Sequence, residues 1–159
     1  MTPSVQIRQA KASDSLLLAQ LNREVQDLHT ELYPKYFKAY DERAVERFMK
    51  EKLADSNTIA FVAEKDEKAV GYILAFHIQR KENPFQYAHH FLLIDQIAVL
   101  NQFQAKGIGQ QLLKKLIEVA KEKKIKEIRT EHWKLNQKAS VFFKNSGFRN
   151  LRKTMEQPL

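Results

Sequence analysis

The stretch FLLIDQIAVL (residues 91–100) constrains the fold more than any other part of the chain. Only Asp95 and Gln96 interrupt its apolar run. A strand that is apolar on both faces must be covered on both, so it belongs inside a sheet with helices above and below. The flanking periodicities supply those layers. VQIRQA (5–10) alternates and reads as a first strand. Ser13 or Asp14 can cap a helix whose stripe is Leu17, Leu21, Val25, Leu28 and Leu32, and Pro34 ends it. Asp41 opens a second helix with Val45, Phe48, Met49 and Leu53 inward. NTIAFVAEK (57–65), the polar turn DE (66–67) and AVGYILAFHI (69–78) form a hairpin, and RKENPFQYAHH (80–90) is a surface loop. A helix runs from Gly107 to about Lys123, with Ile108, Leu112, Leu113, Leu116, Ile117 and Ala120 inward. IKEIRTEHW (125–133) is a fifth strand, NQKASVFFKNS (136–146) a helix ending at Gly147, and FRNLRKTMEQ (148–157) a last strand. The order βααβββαβαβ makes an α/β layered domain with a mixed, mostly antiparallel central sheet, and 159 residues suit a single domain over 1–159.

The formal net charge of +8 attracts an anionic partner, whether nucleic acid, a membrane surface or a phosphorylated ligand, unless it is only a solvated lysine-rich surface. The chain shows no helix-turn-helix, RNA-binding sheet motif or zinc spacing, so no nucleic acid is expected. No apolar run approaches the roughly 20 residues of a membrane span, and MTPSVQIRQA lacks a signal-peptide core, so a cytoplasmic protein with no membrane partner is expected. Zero cysteines exclude disulfides, thiol catalysis and cysteine metal sites. His89 and His90 are adjacent on a strand and point to opposite faces, and no metal is expected.

Glycine is scarce, yet two of the four glycines, Gly107 and Gly109, lie in NQFQAKGIGQQLL (101–113), between the apolar strand and a helix. The first amides of a helix lack internal partners and carry the positive end of its dipole. Glycine lets a ligand approach them, which makes an anion site, with phosphate the usual occupant. A dinucleotide fingerprint needs a third glycine where Leu112 stands, and a P-loop needs Gly-Lys-Ser/Thr, which is absent. An ordinary tight turn is the competing explanation.

The wider stretches are more specific. QAKGIG (104–109) resembles the Gln/Arg-x-x-Gly-x-Gly/Ala signature of the GNAT N-acetyltransferase superfamily. NQKASVFFKNSGF (136–148) resembles that family's Asn-x-x-Ala-x-x-Phe-Tyr-x-x-x-Gly-Phe motif, in the right order and at the expected separation. The resemblance implies the GNAT fold, with splayed fourth and fifth strands and about four helices, and acetyl-CoA as cofactor. It places the pyrophosphate on the amides of Gln104, Ala105, Lys106, Gly107, Ile108, Gly109 and Gln110. It pairs the pantetheine arm with Ile97, Ala98 and Val99, gives Asn136 a contact to that arm, and makes the Val99 N–H the oxyanion donor. Dimers are common in the family, so a homodimer is allowed.

Acetyl transfer to an amine needs a neutral amine, donors for the tetrahedral oxyanion and a leaving thiolate. Strict alternation puts Phe91, Leu93, Asp95, Ile97 and Val99 on one face, and the lone carboxylate of Asp95 is the base candidate, since burial would raise its pKa. IDQIAV also resembles the Ile-Glu-x-Ile-x-Val of some polyamine acetyltransferases. The competing roles for Asp95 are pairing with a lysine, orienting a loop or binding the substrate ammonium. Phe143 stands where the family commonly has a tyrosine close to the coenzyme sulfur, leaving Tyr72, Tyr87 and His132 as other proton donors. LHTELYPKYF (28–37) looks like a His…Pro-x-x-Phe pattern of a subset of these enzymes, so the acceptor residues are expected among His29, Tyr33, Phe37 and Tyr87; packing is the alternative for these aromatics. The leading expectation is transfer to a small-molecule amine or polyamine, which the acids Glu24, Asp27 and Glu31 would suit. The alternatives are protein lysine or N-terminal acetylation, and a non-catalytic acyl-CoA-binding protein.

Overall fold

Helical layers cover both faces of a five-stranded sheet in the computed structural model, which describes residues 4–159. The elements are β1 (Gln6–Gln9), α1 (Ser15–Leu32), α2 (Glu42–Ala54), β2 (Thr58–Lys65), β3 (Lys68–Arg80), β4 (His89–Val99), α3 (Ile108–Glu122), β5 (Ile128–Thr130) and α4 (Gln137–Asn145). Short 3-10 turns lie at Ala12–Asp14 and Asn101–Phe103. The strands follow sequence order β1-β2-β3-β4-β5, antiparallel except for the parallel β4–β5 pair.

Local chemistry explains most boundaries. The Asp41 carboxylate accepts from the Ala44 amide at 3.1 Å and starts α2. Asp66 and Glu67 both adopt positive φ, 50° and 60°, which matches the right-handed twist of a tight hairpin. Asp14 precedes α1 without capping it. It binds Arg8 through two hydrogen bonds of 2.8 and 3.0 Å, and Arg8 Nε also donates to Glu64 at 2.7 Å.

Two expected strands come out differently. Residues 148–157 form no strand: beyond Phe148 the segment is exposed, and side chains tether it, through Arg152–Glu131 and Tyr36–Glu156, each at 2.7 Å. Lacking a buried face, it has nothing to hold it in sheet register. The fifth strand is also far shorter than 125–133, because β5 leaves β4 after Thr130.

The sheet separates two cores. Leu92 and Ile94 join Ile73, Leu112 and Leu116 on the α3 face, whereas Ala98 joins Leu18, Met49, Tyr72 and Leu74 on the α1–α2 face. Ile97 and Val99 pack against the α3 face. The change of phase has a definite cause: Leu74 pairs with Gln96 but Ala75 pairs with Ile94, so Asp95 is the extra residue of a β-bulge. Strict alternation therefore breaks, and Asp95 does not share a face with Ile97 and Val99.

Candidate active site

The bulge lies where β4 loses its second neighbour. β5 pairs only with Leu92, Leu93 and Ile94, so Asp95 to Val99 border an open gap. The Leu100 amide donates to the Val70 carbonyl at 2.9 Å, so Leu100 faces β3. Backbone groups alternate along a strand. The N–H and C=O of Val99 and Ile97 therefore face the gap, while those of Ala98 face Tyr72 in β3. Val99 O is engaged by Gln104 Nε2 at 2.9 Å.

At the end of β4 the chain turns through two left-handed residues, Ala105 (φ 58°) and Gly107 (φ 78°), the latter at the N-cap of α3. No side chain caps α3, and the first internal bond runs from Gln111 N to Gly107 O. The amides of Ile108, Gly109 and Gln110 thus precede the helical ladder. A Cβ on Gly109 would lie 3.0 Å from the Phe142 ring, so this glycine lets α3 approach α4, and Gln110 Nε2 reinforces the contact by donating to Ser146 Oγ at 2.8 Å. Lys106 folds back, donating to Gln102 O at 3.0 Å.

A cleft of about 120 Å³ opens beside this loop, lined by Leu21, Glu24, Val25 and Leu28 of α1 together with Val99, Gln104 and Lys138. The first helix was expected on the acceptor side through Glu24, whereas Leu21, Val25, Leu28 and Lys138 were not singled out as lining residues. The available signal was Glu24 on the flank of the leucine stripe; its carboxylate accepts from the Asn101 amide at 2.7 Å and ties α1 to the loop. Farther along α1, His29 stacks on Phe37 at 4.6 Å, and Tyr33, Tyr36 and Phe37 surround Trp133 at 4.8 to 5.2 Å. Asn136 caps α4 through Ala139 N, and its Nδ2 stands 3.4 Å from His29 Nε2. Burial lowers the pKa of His29, which favours the neutral ring. His29, Tyr33, Phe37 and Asn136 therefore form one cluster, while Tyr87 is 87% exposed on the β3–β4 loop.

Asp95 is open to solvent at the bulge. Surrounding protein nevertheless raises its pKa by desolvation, partly offset by the neighbouring Gln96 side chain and the charge of Lys52. Phe143 is buried against Phe142 and Phe148, with ring centroids 5.1 Å apart in each pair. Tyr72 is fully buried, and its hydroxyl donates to Gln96 Oε1 at 2.6 Å, so it has no proton free for the gap. His132 is exposed beside Trp133, whose carbonyl lies 3.3 Å from its Nδ1.

The profile described as the Acetyltransferase (GNAT) family matches residues 22–148, most of the chain. The chain belongs to the GNAT acetyltransferase family. Solved structures carry the same fold. A mutant of the BH1408 protein from Bacillus halodurans superposes with a TM-score of 0.92 at 21% identity, covering 97% of this chain and 99% of that one. The aminoglycoside N-acetyltransferase AAC(6')-Iy, solved with CoA, gives a TM-score of 0.73 at 19% identity over 100% of this chain and 97% of its own. A protein from Clostridium acetobutylicum, solved with acetyl-CoA, gives 0.74 at 19% identity, covering 98% and 96%. In this acetyltransferase the two quoted motifs meet across the Gly109–Phe142 contact, and acetyl-CoA is the co-substrate that family membership implies.

Proposed function

We propose that this acetyltransferase moves an acetyl group from acetyl-CoA directly to the primary amine of a small molecule or polyamine. The observation that carries the reading is the bulge, which sets a carboxylate of raised pKa at the head of an unpaired strand edge. Acetyl-CoA supplies the acetyl thioester. The uncapped amides at the N-terminus of α3 suit its pyrophosphate, and the gap-facing groups of Ile97 and Val99 suit a peptide-like arm. Val99 N–H is the donor for the developing oxyanion. Asp95 removes the ammonium proton directly or through water, the amine nitrogen bonds to the carbonyl carbon, and the carbon–sulfur bond breaks. Thiols are acidic enough, the cysteine side chain ionising near about 8.5, for the sulfur to leave as thiolate without a side-chain acid. That accommodates the apolar Phe143. The cluster of His29, Tyr33 and Phe37 flanks the acceptor side, and aminoglycoside acetyltransferases among the structural neighbours support a small amine.

The test is acetyl-CoA-dependent thiol release across a panel of polyamines, aminoglycosides and lysine peptides. Turnover with a small amine is the expected result. Release only with peptides points to protein acetylation. Coenzyme binding with no turnover on any amine would sink the catalytic reading in favour of an acyl-CoA-binding protein.

A further inference from the structure

Beneath the bulge lies a polar network that the proposed chemistry does not use. Asn22 on α1 is 6% exposed and Tyr72 on β3 is fully buried, both within an otherwise apolar core. Asn22 Nδ2 donates to the Tyr72 hydroxyl at 3.0 Å and to Gln96 Oε1 at 3.3 Å, and the Tyr72 hydroxyl donates to Gln96 Oε1 at 2.6 Å. Two donors thus converge on one amide oxygen. The donors of an amide sit on its other arm, so Gln96 Nε2 is turned away from Tyr72 and Asn22. Asp95 is the neighbouring residue, brought beside Gln96 by the bulge. Reversing the amide would face the Asn22 and Tyr72 donors with another donor.

We propose that Gln96, its amide fixed by Tyr72 and Asn22, is the positioning residue for Asp95: Nε2 donates to one carboxylate oxygen and leaves the other to face the acceptor amine. The proposal rests on the reading of Asp95 as the base. Lys52 of α2 is the charged group that acts on Asp95; α1 contributes the uncharged Asn22, and β3 the Tyr72 phenol, kept neutral because burial raises its pKa. The Gln96 bond favours the ionised carboxylate, opposing desolvation, so losing it raises the Asp95 pKa further.

The experiment is a carbon-detected NMR titration of the Asp95 carboxyl in the full chain, wild type against Gln96→Met and Tyr72→Phe, with kcat/KM followed over the same pH range. The Asp95 midpoint is expected to rise by about one pH unit in Gln96→Met. Tyr72→Phe, which keeps the amide but frees it, shifts the midpoint the same way by less. The acid limb of the rate profile moves in parallel, which a merely structural role would not produce. An unmoved midpoint in both variants, with native shift dispersion retained, overturns the proposal; if Gln96→Met does not fold, Tyr72→Phe alone decides. Wild-type kcat/KM in Asp95→Asn would remove the base role, while the NMR midpoints independently judge the hold of Gln96 on the carboxylate.

Discussion

Replacing Gly71 with alanine tests the geometry of the gap from behind. Gly71 sits on β3 opposite Val99. A Cβ built there would lie 2.7 Å from the Ala98 carbonyl oxygen and 3.1 and 3.3 Å from Val99 Cγ2 and Cα. The nearest of these atoms is backbone, so it cannot rotate away as a flexible side chain would. Relief requires β4 to move outward at Ala98 and Val99. Overpacking of this kind costs roughly 1–3 kcal/mol. Weakening the ladder between Ala98 and Tyr72 adds about 1 kcal/mol. Removing glycine's excess unfolded-state freedom returns about 0.4–1 kcal/mol. The net loss is about 2 kcal/mol, or a fall in Tm of roughly 6 °C for a chain of this size. The displaced Val99 also misaligns the edge proposed to hold the co-substrate, so KM for acetyl-CoA rises. Thermal melting by circular dichroism and initial rates at varied acetyl-CoA check both effects. A Tm within about 1 °C of wild type, with unchanged KM, would refute the close approach of β3 to β4.

Asp95→Asn is expected to lower kcat/KM by about 10²–10⁴ with coenzyme binding retained, and to abolish the acid limb of the pH profile, which in the wild type lies above the ordinary aspartate range because desolvation raises that pKa; steady-state kinetics over pH decide it. Phe143→Tyr puts a hydroxyl into the core around Phe142 and Phe148, so it costs about 1–3 kcal/mol and leaves kcat unimproved; a faster variant would mean that the ring faces the gap. Arg8→Ala costs about 2 kcal/mol at neutral pH, as Asp14 loses two hydrogen bonds. The bond from Arg8 lowers the Asp14 pKa below its ordinary 3.8. Its stabilisation is therefore complete above 3.8 and lost as pH falls through the lowered value, so the wild-type and Arg8→Ala denaturation midpoints converge in acid.

The candidate site was legible in parts for identifiable reasons. Gly107 was readable because a glycine pair between an apolar strand and a helix leaves the first helix amides open to approach, and the structure adds its positive φ. Gly71 was opaque, since nothing local shows that β4 passes so close. Asp95 stood out as a lone acid in an apolar run, but its face was misassigned, because a bulge appears only when two strands are paired. Phe143 was legible as a motif position, but its packing against Phe142 and Phe148 was not, because those rings meet only in the fold.

The sequence by itself determined the layered α/β order as far as α4, the helix stripes, the glycine turn before α3 and the family, because each rests on residues close along the chain. Tertiary structure alone decided which backbone edge of β4 stays unpaired, that Glu24 ties α1 to the Asn101 amide, and that Asn22, Tyr72 and Gln96 meet beneath Asp95. These contacts join residues from different elements, and only strand register and helix packing bring them together.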